Sequence, residues 1–188
     1  PSLFWLTLLT LASVFPVDLV TGWNLDLIPA PEGLAESMDE IRPTSPWGWA
    51  GVVLVICVVG PIGEEVVFRA LLLRGAERAM GSRQALLLSA ALFAAAHLQP
   101  YFVGGLFVVG LVLGAVYQRT RSLPACIYVH GLYNLVSVAS WQESANETPS
   151  WTDGAYGLPL ALAGALLAWW ALRRLPQPTG SDPTSTTA

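Results

Sequence analysis

The sequence predicts an all-α fold, a polytopic bundle of about six membrane helices, and three observations predict it. Of 188 residues, 54% are hydrophobic and only 12% charged, a balance too apolar for an ordinary soluble domain. The apolar residues gather into six runs, several of them near the roughly 20 residues that a helix needs to cross a hydrocarbon core about 30 Å thick. Arg residues cluster between alternate runs, as short loops on one side of a membrane require.

The first run, Leu3 to Val20, reads as a membrane helix rather than a signal sequence, because neither a basic n-region nor a small-residue cleavage site accompanies it. The chain starts at Pro1 without Met, so an extension upstream is expected. Thr21 to Pro46 is Pro-rich and acidic, a linker with room for a short surface helix around Leu34 to Ile41. Five further runs follow: Trp47 to Leu73, Gln84 to Gln99, Phe102 to Gln118, Leu123 to Trp141 and Tyr156 to Leu172. The shorter ones are tolerable where helices tilt or are sheltered by neighbours. The tail from Pro176 is rich in Pro, Ser and Thr and is expected to be disordered.

Arg74, Arg78 and Arg83 flank one loop, Arg119 and Arg121 another, and Arg173 and Arg174 close the last helix. Alternating helices place these clusters and the C-terminus on one side, predicted to be the cytoplasm. The other side receives the acidic linker, the turn at Gln99-Pro100 and the segment Gln142 to Asp153. Trp23, Trp47, Trp49, Trp141 and Trp151 gather near the outer boundary, and Trp169 and Trp170 near the inner one, as aromatic belts do. Gly104, Gly110 and Gly114 give the fourth helix the small residues that close packing uses.

With nine Arg, no Lys and 13 acidic residues, the chain offers no basic patch for nucleic acid. Cys57 and Cys126 lie in separate apolar runs and read as packing residues. Asn146-Glu147-Thr148 fits the glycosylation pattern, a match too short to carry weight.

Ionisable groups inside a bilayer persist mostly where they pair or work. The segment Gly60-Pro61-Ile62-Gly63-Glu64-Glu65-Val66-Val67-Phe68-Arg69 sets two carboxylates and a guanidinium in an apolar run. Glu65 and Arg69 stand four apart, the spacing of an ion pair within a helix. Glu64 is rotated off that face and is free to meet another helix as a general base. Burial and the nearby Arg69 act on its protonation in opposite senses. Pro61, between Gly60 and Gly63, is expected to bend or break the helix before the acids.

The chain's two histidines complete the set, His97 sharing a face with Phe93 and His130 with Asn134. At about 1.5 Å per residue, Glu64 lies roughly 15 Å from Arg74, His130 roughly 14 Å from Arg121, and His97 roughly 21 Å from Arg83. The three can therefore meet inside the membrane.

Glu64-Glu65-x-x-x-Arg69, Phe93-x-x-x-His97 and His130-x-x-x-Asn134 resemble, in order and approximate spacing, the three motifs of the CPBP family of intramembrane proteases. That family includes type II CAAX prenyl endopeptidases and Abi, or bacteriocin-immunity, proteins. The resemblance covers roughly Trp47 to Trp141, reaching Leu172 if the final helix is counted. It implies hydrolysis of a peptide bond. Glu64 and His97 would activate a water, His130 and Asn134 would stabilise the oxyanion, and Glu65, Arg69 and Phe93 would support them. On that pattern residues 1–46 form an N-terminal helix and extracytoplasmic linker, 47–174 the catalytic membrane domain and 175–188 the tail.

No cofactor is expected. Two His and one Glu could bind zinc and leave a position for water, but no H-E-x-x-H is present, and Asn134 suits an oxyanion donor better than a zinc ligand. Two other classes compete: an ion- or proton-coupled carrier, for which no internal repeat is evident, and a non-catalytic immunity or scaffold protein. The expected partners are the lipid bilayer of the cell membrane and a peptide or membrane-protein substrate, prenylated or not.

Overall fold

The computed structural model describes the backbone of residues 2–143 and 157–177, and every described element is helical. The helices are α1 (Leu3–Leu27), α2 (Leu34–Glu40), α3 (Pro46–Met80), α4 (Ser82–Ala96), α5 (Val103–Thr120), α6 (Leu123–Glu143) and α7 (Gly157–Arg174). Four of them, α1, α3, α5 and α6, are long and apolar enough to cross a membrane. The fourth helix is a shorter apolar one, and α7 ends on two Arg. Positions 144–156 and 178–188 lie outside the described residues, as do the side chains of 141–143. The expected outer segment beyond Glu143, the Asn146 triplet, Trp151, Tyr156 and most of the expected tail therefore fall outside.

Three boundaries differ from expectation. The first helix runs on to Leu27, so the linker begins later. The second run does not stop at Leu73 but continues to Met80, and the expected Arg-flanked loop shrinks to Gly81, whose φ of 83° reverses the chain. Arg74 to Met80 is polar but made of good helix formers, so leaving the hydrocarbon does not end the helix. Finally, α4 stops at Ala96, with His97 at its end rather than inside it.

The helices alternate in direction. Arg121 at the α5–α6 turn bonds Glu77 of α3, and Arg119 donates to the carbonyls of Arg173 and Leu175, so the Arg clusters share one end of the bundle. At the opposite end, Asn24 of α1 accepts from Gly104 N at 2.6 Å and donates to the Pro100 carbonyl. Leu6, Leu9, Leu73, Phe93, Leu113, Val116 and Val129 form the core. Lipid is as apolar as these side chains, so close packing rather than exclusion from water must hold the helices together.

Prolines and glycines organise that packing in pairs. Pro61 does not break α3: main-chain bonding slips to a π-helical register along Val55–Val59 and again along Val66–Leu73. The carbonyl of Cys57 lies one turn before Pro61. Gly131 of α6 packs there, and a Cβ on Gly131 would overlap that carbonyl oxygen. Pro16 of α1 supplies no N–H to the Ala12 carbonyl, and a Cβ on Gly164 of α7 would overlap that oxygen. At both sites a glycine of a neighbouring helix packs closely against the carbonyl four residues before a proline. On α5, Gly110 lies against the backbone of Ala90 and Gly114 against Leu86, as the small-residue spacing predicted.

Gly131→Ala and Gly164→Ala should each destabilise the bundle by about 1–3 kcal/mol through overpacking against backbone. Gly51→Ala, where nothing lies within 4 Å of the added atom, should be neutral or stabilising by about 0.5–1 kcal/mol. Equilibrium unfolding in mild detergent distinguishes these outcomes.

Candidate functional site

The site forms where α3, α4 and α6 meet at the level of Glu64. Between its two π-helical stretches, α3 presents Gly60–Glu65. The carbonyl of Ile56, five residues before Pro61, receives no N–H from that proline, and Asn134 Nδ2 donates to it at 2.7 Å. Asn134 is thereby fixed on the face of α6 that His130 shares.

Arg69 is wholly buried and forms the expected pair with Glu65, Nη1 to Oε1 at 3.0 Å. Its Nη2 donates to the Gly110 carbonyl at 3.3 Å, and its Cζ stands 4.7 Å from the centre of the Phe93 ring. These contacts join α3 to α4 and α5 through a single cation. The Phe93 ring in turn meets His97, Phe68 and His130 edge-on, with centroids 4.8, 5.3 and 5.6 Å away.

Each imidazole is held by its Nδ1. In His97 that atom lies 2.8 Å from the Phe93 carbonyl, which can only accept, so Nδ1 carries the proton. In His130 it lies 2.8 Å from Glu65 Oε1, the same oxygen that pairs with Arg69. Both Nε2 atoms then face Glu64 Oε2, at 3.9 Å from His97 and 3.8 Å from His130. That oxygen is buried and has no hydrogen-bond donor among the described residues. The structure thus brings together Glu64, His97 and His130, with Glu65, Arg69 and Phe93 packed behind them. Asn134 stands one turn along α6, engaged with Ile56.

Several contributors were not singled out from sequence. The Glu65–His130 bond joins two helices 65 positions apart, and no local pattern announces it. Gly131 was visible as a glycine inside a helix, a feature that signals close approach. Ser89 Oγ donates at 3.0 Å to the Phe68 carbonyl within the second π-helical stretch. Leu98, with φ of 55°, turns the chain away directly after His97, a left-handed conformation that is uncommon for any residue but glycine.

Fold and site define a multi-pass helical membrane protein with a carboxylate–imidazole centre inside its bundle. Residues 46–136 match the family model described as Type II CAAX prenyl endopeptidase Rce1-like, and this segment is similar to that family. The match spans all three motifs. No curated protein and no solved structure matches the chain.

Arg69→Met should cost about 3–5 kcal/mol, because it leaves the Glu65 charge buried without its partner. Adding Glu65→Gln should recover a substantial part of that loss, which a double-mutant cycle on purified protein measures.

Proposed function

We propose that the chain is an intramembrane endopeptidase that hydrolyses a peptide bond with water activated by Glu64 and His97. The observation that carries this is the pair of Nε2 atoms facing one partnerless carboxylate oxygen. Acceptors so placed suit a water that donates one O–H to Glu64 and the other to His97 Nε2. As the water oxygen bonds to the peptide carbonyl carbon, Glu64 takes up its proton and the carbonyl electrons move onto oxygen. When the C–N bond breaks, that proton passes to the departing amine.

The oxyanion is assigned to His130 Nε2–H, available when both ring nitrogens carry protons, and to the Asn134 amide. Glu65 and Arg69 set the direction of the His130 ring, and Phe93 separates the two imidazoles. The chemistry is proposed to need no metal. Zinc ligands 2.0–2.1 Å from a tetrahedral ion stand roughly 3.3 Å apart, less than the 3.8 and 3.9 Å separating Glu64 from the imidazoles.

The substrate is assigned as a peptide or membrane protein reaching the site from the bilayer or from the Arg-rich end. The positive charge of that end supports a cytoplasmic location for it. A prenylated C-terminus, the substrate named in the family's description, is the first to try.

In reconstituted membranes, Glu64→Gln should lower cleavage by about 10²–10⁴-fold and Asn134→Ala by about 10²–10³-fold. A strong chelator should leave wild-type activity unchanged, and activity lost to chelation and restored by zinc would refute the metal-free mechanism. If neither a prenylated peptide nor a peptide library yields products that depend on wild-type protein, the protease assignment gives way to a carrier or a non-catalytic binder.

A further inference from the structure

At the Arg-rich end of the bundle, well away from Glu64, a cleft of about 570 Å³ is lined by Arg74, Glu77, Arg78, Ser82, Tyr117 and Arg121. Its single carboxylate is already engaged: Glu77 takes both Nη atoms of Arg121, at 2.5 and 3.2 Å, and Gln118 Nε2 at 3.0 Å. Arg74 and Arg78 are exposed and make no ion pair among the described residues. The cleft therefore carries more positive charge than its own side chains neutralise, with the hydroxyls of Ser82 and Tyr117 on its wall.

A second cleft of about 370 Å³ shares Arg74 and Arg78 and is otherwise lined by Ala70, Leu71 and Gly75. It extends one turn along α3 toward the middle of the bundle, where Leu71 is 65% exposed on the outer surface. Two guanidiniums thus stand between a polar recess at the membrane boundary and an apolar one running into the hydrocarbon.

We propose that these adjoining clefts bind one anionic phospholipid, its phosphate between Arg74 and Arg78 and one acyl chain along Ala70, Leu71 and Gly75. Guanidinium forks match phosphate oxygens, and basic recesses between membrane helices are suited to charged headgroups. The apolar recess favours a membrane-borne phosphate over a soluble one, which gains nothing from Leu71. The ligand would sit roughly 15 Å along α3 from Glu64, on the helix that carries both carboxylates.

The test compares melting temperatures of the full chain in phosphatidylcholine vesicles with and without phosphatidylglycerol. Phosphatidylglycerol should raise the wild-type value by about 4 °C, and Arg74→Gln/Arg78→Gln should abolish the rise while keeping the wild-type value in phosphatidylcholine alone. Arg173→Gln/Arg174→Gln removes the same charge at the same end, from guanidiniums that lie over Trp169 and Trp170, and should keep the rise. The proposal is overturned if the first pair retains the rise, if the second pair loses as much, or if inorganic phosphate with phosphatidylcholine reproduces it. Native mass spectrometry supplies an independent measure: one phosphatidylglycerol retained by wild type and none by Arg74→Gln/Arg78→Gln, with equal retention by both deciding against the site.

Discussion

Arg69 holds a full positive charge where no solvent reaches it, and the rest of the site is arranged around that fact. A buried guanidinium is tolerable only where its charge is matched inside the protein. Glu65, one helical turn away, supplies the matching charge, and the Gly110 carbonyl and the Phe93 ring occupy other faces. Each of these groups then constrains something else. The Glu65 oxygen that pairs with Arg69 also takes His130 Nδ1, and Phe93 meets both imidazoles edge-on. Fixing Arg69 therefore fixes the direction in which His130 Nε2 points, with Glu65 Oε1 as the shared partner.

The same constraint, that polar groups find partners inside the bundle, explains how proline is accommodated. In water a carbonyl deprived of its helical donor is solvated, whereas in hydrocarbon a neighbouring helix must come to it. At Pro61 that neighbour is α6, which brings Asn134 Nδ2 to the Ile56 carbonyl and Gly131 against the Cys57 carbonyl. The docking of α6 on α3 is thus specified by the defect that Pro61 creates. His130 directly precedes Gly131 and stands one turn before Asn134 on α6, so the defect that would weaken an isolated helix positions an imidazole in the assembled one.

What could be read from sequence was whatever helical periodicity carries. The Glu65–Arg69 pair lies within one helix, and depth follows from counting residues to the nearest Arg, so the ion pair and the common layer of Glu64, His97 and His130 were both legible. Rotation of one helix about its axis relative to another is not periodic information. The contacts of Glu65 with His130 and of Asn134 with Ile56 depend on that rotation and on the π-helical slip around Pro61. Helix ends were misjudged for a related reason: apolarity marks where a helix leaves the hydrocarbon, while Arg74 to Met80 stays helical beyond that point.

Adjacent carboxylates in identical sequence context end in opposite surroundings. The Glu65 side chain is wholly buried, with its Oε1 shared by Arg69 and His130, whereas that of Glu64 is 36% exposed and aimed between two rings. The imidazoles repeat the division, His97 being 28% exposed and His130 4%. Exposure therefore falls across the site, from the Glu64–His97 side to the His130–Glu65 side. On the proposed mechanism that gradient is what hydrolysis inside a membrane requires. Water has to arrive where the base is, while developing negative charge is stabilised most by donors fixed where water is absent and the local dielectric is low. A site buried uniformly would lack its second reactant, and one exposed uniformly would weaken the oxyanion donors.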